Sequence, residues 1–212
     1  ANRLKETSGQ IINTNQTCGE KGRNIQNNLL SIKTIIEYMD HNKLDGAIVL
    51  IDQEKAFDRL EHNFMKKALQ KFGFGQNFIK WVQILYTNIQ SSVQVNGART
   101  RPFLISRSVR QGCPLSMLLY IVSIEIIRIK IQNDDNIEGI KIPNMKEFCK
   151  TFQHADDSTH FLTNIMSYQK LIDQYNSFGK ASGAKINHDK TEILLIGNWR
   201  GNHPGLPPPP NI

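Results

Sequence analysis

Two adjacent aspartates, Asp156 and Asp157, interrupt the stretch FQHADDSTHF at residues 152–161. Neighbouring carboxylates repel, and an apolar core cannot take them ionised and unpaired, so the chain must deliver them to open water or to a cation. Their flanks, FCKTFQH and STHFLTN, are short and rich in aromatic and β-branched residues. They read as two strands, with the aspartates at the tip of the hairpin between them.

The surrounding pattern says what that hairpin belongs to. GAIVLID, at 46–52, follows the turn signal LDG and is apolar without alternation, which predicts a strand buried on both faces that ends at Asp52. Ile25, Leu29, Ile32, Ile36 and Met39 recur at steps of three and four and predict an amphipathic helix. Phe64, Ala68, Leu69 and Phe72 predict a second helix stopping near Gly73, and Phe78, Trp81, Val82 and Leu85 a third. SSVQVNGARTRPFLIS carries Asn96-Gly97 at its middle, a strong hairpin signal. A long helix follows Pro114, marked by Leu115, Leu118, Leu119, Val122, Ile126 and Ile129. Leu171, Ile172, Tyr175 and Phe178 form a last helix ending near Gly183, and TEILLIG is a closing strand. Helices and strands mix without a regular βαβ repeat, which points to an α+β fold, an antiparallel sheet with helices on one face. At 212 residues this is one domain or two closely packed subdomains.

If the strand ending at Asp52 lies beside the aspartate hairpin, three carboxylates meet at one sheet edge. Hard divalent cations such as Mg²⁺ take oxygen ligands of this kind and complete their shell with substrate phosphates. A pair of such ions activates a 3′-hydroxyl against a phosphate, or a water against a phosphodiester. The plainer readings are that Asp156 and Asp157 decorate an exposed turn and that Asp52 caps the next helix.

Charge and cysteine content narrow the partners. Lys and Arg number 26 against 19 Asp and Glu, a net charge of +7 that favours polyanions. With no apolar run of about 18 residues and no cleavable signal, the expectation is a soluble, intracellular protein without a membrane role. Cys18, Cys113 and Cys149 are odd in number and scattered, which argues against a disulfide framework or a cysteine zinc site. His154 and His160 bracket the aspartates but lack the partners a zinc site needs. GFG at 73–75 is a helix break rather than a phosphate loop. Arg23, Lys66, Lys67, Lys71 and Arg110 are available for phosphates or form solvated faces. The chain opens without methionine and closes on WRGNHPGLPPPPNI, which reads as a fragment with an extended polyproline tail.

Four stretches in order, IDQEKAFDRLEH (51–62), VRQGCPLS (109–116), ADDSTHF (155–161) and SGAKINHDKTEILLIG (182–197), resemble successive motifs of the reverse transcriptases of LINE-type (non-LTR) retrotransposons. ANRLK and NQTCGEKGR are similar to the finger segment that precedes those motifs, so the resemblance runs from Ala1 to about Trp199. It implies a right-hand polymerase palm with part of the fingers and no thumb: partial fingers over 1–44, palm with finger insertions over 45–199, and an irregular Pro-rich tail over 200–212. It implies an RNA-directed DNA polymerase that extends a DNA primer on an RNA template from dNTPs with two Mg²⁺ ions, or Mn²⁺ in their place, in the nucleus or a cytoplasmic ribonucleoprotein.

Residue by residue, the resemblance makes Asp52 and Asp156 metal ligands, with Asp157 completing the triad and the Gln53 carbonyl as a further contact. It makes Phe57 the aromatic beneath the sugar, although core packing is the plainer reading. Gln111 and Gly112 match the loop beside nucleotide and template, where glycine permits close backbone approach. Lys190 matches the lysine that protonates departing pyrophosphate, with Lys185 as its rival, and Asp58 reads as structural. The chain departs from the motifs at His154 (commonly Tyr or Phe), Ser108 (commonly Gly), Met117 (often Pro) and Cys18–Glu20 (usually containing Gly-Phe). Two other functions stay open: a nucleic-acid-binding remnant without catalysis, and a two-metal phosphodiesterase.

Overall fold

The computed structural model describes residues 2–143, 145–201 and 204–206, so the prolines at 207–210 of the expected tail lie outside the described residues. Helices α1 (Asn2–Ile11) and α2 (Ile25–His41) precede strand β1 (Gly46–Ile51). A short helix α3 (Ala56–Arg59) leads into α4 (His62–Lys71) and α5 (Gln76–Tyr86). Two small ribbons follow, β2 (Gln90–Ser91) with β5 (Phe103–Leu104) and β3 (Gln94–Val95) with β4 (Ala98–Arg99), the inner one turning at Asn96-Gly97 as the sequence predicts. Helix α6 (Ser116–Gln132), the hairpin β6 (Thr151–His154) and β7 (Asp157–Leu162), helix α7 (Ile165–Ser182) and strand β8 (Glu192–Ile196) complete the order.

The main sheet runs β6-β7-β1-β8, antiparallel throughout. The period of two in a strand sorts its apolar residues. Ala47, Val49 and Ile51 join the large core formed with α4, α5, α6 and α7, while Ile48 joins Ile35, Met39, Phe161 and Ile196 in a smaller cluster under α2. The sheet is therefore covered on both faces. The α+β class and antiparallel sheet are as expected, but confinement of the helices to one face is corrected, because a strand as continuously apolar as β1 needs a partner on each side.

Two helices depart in part from the faces their periodicity suggests, α2 only in its first turns, since Ile32, Ile36 and Met39 pack as expected. In α2 the buried residues are Asn28, Ile35 and Met39, whereas Ile25 is 44% and Leu29 57% exposed. Polar bonds set this rotation: the Asn28 amide donates to the Gln153 carbonyl at 2.8 Å and to the Thr17 hydroxyl at 3.2 Å. Helix α6 is buried nearly all round, because α1, α4 and α7 enclose it together with the sheet. Its charged pair, Glu125 and Arg128, is carried inward as a hydrogen-bonded ion pair.

Ser108 has φ 101, a backbone angle that favours glycine and strains a Cβ-bearing residue. That explains why glycine suits this position. Ser108→Gly is expected to stabilise the fold by about 1–2 kcal/mol, seen as a melting midpoint raised by roughly 3–5 °C.

Candidate active site

Register brings the three aspartates to one edge. Strand β1 pairs with β7 so that Ile51 faces Ser158, which leaves Asp52 beside Asp157 at the next step. The hairpin closes with His154 opposite Asp157, so Asp156 sits in the two-residue turn, after Ala155 at a left-handed φ of 54. The carboxylate edge follows from the antiparallel pairing alone.

The tip is braced from the N-terminal segment. The Gln16 side chain accepts from the Ala155 N–H at 3.1 Å and donates to the Ala155 carbonyl at 3.4 Å, pairing with its backbone as a strand would. The Thr17 hydroxyl pairs with His154 Nδ1 at 2.9 Å. Just past β1, Gln53 Nε2 donates to the Asp156 carbonyl at 3.5 Å. Gln16 is fully buried, and sequence reasoning did not single it out, although it lies within the quoted NQTCGEKGR.

A cleft of about 470 Å³ opens at this edge, lined by Asp52, Gln53, Phe57, Gln111, Asp156 and Lys190 among others. Asp157 faces a neighbouring cleft of about 560 Å³ against α2, and Asp52 and Lys190 line both. Of the eight site residues expected, only Gly112 lines neither. Its φ of 79 requires glycine, but a Cβ there would meet nothing within 4 Å, so conformation rather than close packing accounts for it. A roomier cleft of about 670 Å³, bounded by Leu30, Ile35, Arg128 and Met145, lies away from the aspartates.

The two candidate lysines differ in surroundings. Lys185 is in an ion pair with Glu54 at 3.7 Å, while Lys190, in a 3₁₀ turn at His188–Lys190, lines the cleft with Asp52 and Asp156. Glu54 also binds Arg59 at 2.8 Å, and that bond, more than any other influence, lowers its pKa. Phe57 stacks one ring face on Tyr120, centroids 4.5 Å apart, and also walls the cleft. Tyr120 itself is 1% exposed and was not anticipated at the site. Asp58, read as structural, is exposed on the cleft wall. Arg23 is tied to the carbonyls of Ile12, Asn13 and Gln16, which removes it from the phosphate candidates.

Electrostatics show an unbalanced site. Burial, then repulsion from Asp157 and Asp52, raises the Asp156 pKa above the usual carboxylate range. None of the three aspartates forms an ion pair among the described residues. Hard oxygen donors with uncompensated charge suit Mg²⁺. The local backbone pairing beside them uses the Asp52 carbonyl and the Glu54 amide, flanking Gln53. The side chains are not closed into a cage, since among the described residues no group of three or more His, Cys, Asp or Glu is gathered as metal ligands. The three cysteines are free, and among the described residues no helix is long and apolar enough to cross a membrane.

Residues 1–206 match the family model described as reverse transcriptase (RNA-dependent DNA polymerase). The chain is 30% identical over 206 residues to the Transposon TX1 uncharacterized 149 kDa protein of Xenopus laevis, covering 97% of this chain and 15% of that protein. It is 30% identical over 143 residues to the Retrovirus-related Pol polyprotein from type-2 retrotransposable element R2DM of Drosophila melanogaster, covering 68% of this chain and 13% of that one. Among solved structures, apo telomerase from Candida tropicalis superposes with a TM-score of 0.66 at 15% identity, over 94% of this chain and 36% of that one. Telomerase from Candida albicans in complex with a TWJ fragment of telomeric RNA gives a TM-score of 0.64 at 13% identity, over 91% of this chain and 33% of that one. These two likenesses are of fold.

Proposed function

The chain belongs to the reverse transcriptase (RNA-dependent DNA polymerase) family, and from that premise we propose that its aspartate edge carries out templated nucleotidyl transfer from a dNTP to a DNA 3′-hydroxyl on an RNA template. The observation that carries this reading is the meeting of Asp52 with the Asp156–Asp157 tip on paired strands, at clefts also walled by Phe57, Gln111 and Lys190. The non-LTR retrotransposon relatives support it. On this reading residues 1–44 are partial fingers and 45–199 the palm.

Asp52, Asp156 and the Gln53 carbonyl would hold two Mg²⁺ ions, with Asp157 completing the charge. Ions held there would supply charge that lowers the pKa of a 3′-hydroxyl and neutralises a leaving pyrophosphate. The protein's own part is positioning. Gln16 and Thr17 fix the hairpin tip, so the carboxylates need little reorganisation when substrate arrives. Lys190 donates a proton to pyrophosphate as it departs, and Gln111 borders the incoming nucleotide.

Phe57 excludes a 2′-hydroxyl by occupying the space beneath the sugar, held flat by Tyr120. Phe57→Val is expected to raise ribonucleotide incorporation relative to deoxyribonucleotide by about 100-fold, or roughly 2.7 kcal/mol. Tyr120→Leu, which removes only the stack, should shift the same ratio by about tenfold at most. Competing rATP against dATP on a poly(rU) template measures both, and unchanged ratios would leave Phe57 as core packing.

The test of the function is extension of labelled oligo(dT) on poly(rA) with Mg²⁺, using this chain alone and the chain carried within its flanking sequence. A ladder that requires dTTP supports the polymerase. Cleavage of the label without dTTP indicates a phosphodiesterase, and hybrid binding indifferent to Mg²⁺ without extension indicates a binding remnant.

A further inference from the structure

From His62 to Arg110 the chain has eight Lys or Arg and no Asp or Glu, so the rest of the protein carries 18 cations against 19 carboxylates. The whole positive surplus therefore belongs to one continuous unit, made of α4, α5 and the two ribbons. Lys66, Lys67 and Lys71 lie on α4, and Lys80 on α5. Arg99 and Arg101 belong to the ribbons, and Arg107 and Arg110 to the segment returning toward the cleft. All but Lys66 are exposed. Among the described residues none of the eight is in an ion pair, whereas Lys33, Arg59, Arg128, Lys185 and Arg200 all are. Uncompensated like charge on a surface destabilises the fold by self-repulsion and is relieved by a polyanion.

Two further observations say what kind of polyanion. Trp81, beside Lys80, is 67% exposed, and Phe103 in the outer ribbon is 49% exposed. Exposed rings among cations offer stacking faces to unpaired bases, which a duplex does not present. The unit is also continuous with the aspartate cleft. The Ser108 and Val109 amides donate to the carbonyls of Leu60 and Phe57 at 2.9 Å each, and Arg110 precedes Gln111 on the cleft wall.

We propose that the 62–110 unit is a platform for single-stranded nucleic acid, gripping the phosphodiester backbone of the unpaired strand that enters the cleft past Gln111, with Trp81 as a stacking ring. It rests on the polymerase reading only for the direction of that strand. Its affinity comes from released counterions and stacking, not from the aspartates or from metal.

The test is anisotropy of a fluorescein-labelled RNA of about 20 nucleotides, in EDTA and without dNTP, titrated at salt from about 50 to 200 mM. Changing Lys67, Lys71, Arg99 and Arg101 together to Gln should weaken binding at least about tenfold and make the plot of log affinity against log salt shallower by roughly 2–3. The matched control changes four exposed cations outside the unit, Lys21, Lys146, Lys170 and Lys180, to Gln and should move Kd less than about twofold. Trp81→Ala should weaken binding about tenfold with the salt slope unchanged, since stacking releases no counterion. DNA of the same sequence should behave as RNA does, and polyglutamate of equal charge should fail to displace either. Equal losses in the two fourfold variants would overturn the platform in favour of bulk net charge. Displacement by polyglutamate, or a duplex bound as tightly as the single strand with Trp81→Ala silent, would overturn it as well. Platform binding that persists in a protein unable to extend a primer sinks the polymerase reading alone.

Discussion

Asp52→Asn and Asp156→Asn should each reduce templated extension by at least about 10³-fold, while hybrid binding measured in EDTA stays within a few-fold of the parent. Asparagine keeps the shape of the side chain but removes the charge that a metal requires. Asp52 borders both clefts and Asp156 occupies the hairpin turn. Asp157 is exposed, and its Asn variant should lose less, about 10- to 100-fold. Stability separates this from unfolding. Because the folded protein holds the Asp156 pKa above its usual value, the ionised form costs stability at neutral pH, and that cost vanishes once acid protonates the group in folded and unfolded chains alike. Asp156→Asn removes the cost at every pH, so the inactive variant should melt no lower than the parent without metal. A variant that loses extension and also melts several degrees lower would mean that the tip is structural.

His160 should give the protein an acid-labile stability. It is fully buried on β7, with Nε2 2.9 Å from the Tyr175 hydroxyl and its ring edge-on to the Tyr175 ring. Burial lowers its pKa from 6.5 to about 3. The unfolded chain therefore takes up a proton below about pH 6.5 while the folded chain does not, and stability falls with pH through that window by about 1.4 kcal/mol per unit, or roughly 2 kcal/mol at pH 5. Burial raises Glu125 and Asp156, which shift stability in the opposite direction with pH, so the comparison must be with a variant. Urea midpoints of the parent and His160→Phe from pH 7.5 to 5 should diverge as pH falls, the variant losing less. Parallel curves would place the pH dependence elsewhere.

The parts of this structure legible in the sequence are those whose cause is local. An aspartate pair between two short apolar runs has few homes other than a hairpin tip, and GAIVLID has few other than a central strand, so the carboxylate edge was readable before any pairing was known. The inward face of the first turns of α2 was not, because Asn28 finds its partner at Gln153, far along the chain, while Ile25 and Leu29 stay exposed. Periodicity also assigns one face to a helix such as α6 and is silent when neighbours enclose every side, which is how Tyr120 came to lie behind Phe57 unannounced. Gln16 is invisible for a similar reason: its bonds to Ala155 cross the whole domain. Ser108 shows the converse, a departure readable in the sequence whose meaning, a backbone angle suited to glycine, needed the structure.

On the proposed function Asp52 and Asp156 together hold metal at the reacting phosphate. Mn²⁺ binding followed by electron paramagnetic resonance, with a non-hydrolysable dNTP and a hybrid present, tests this for the parent, Asp52→Asn and Asp156→Asn. About two ions per parent chain are expected, with at least one lost in each variant. Equal binding in all three proteins would mean that these aspartates do not hold the metal.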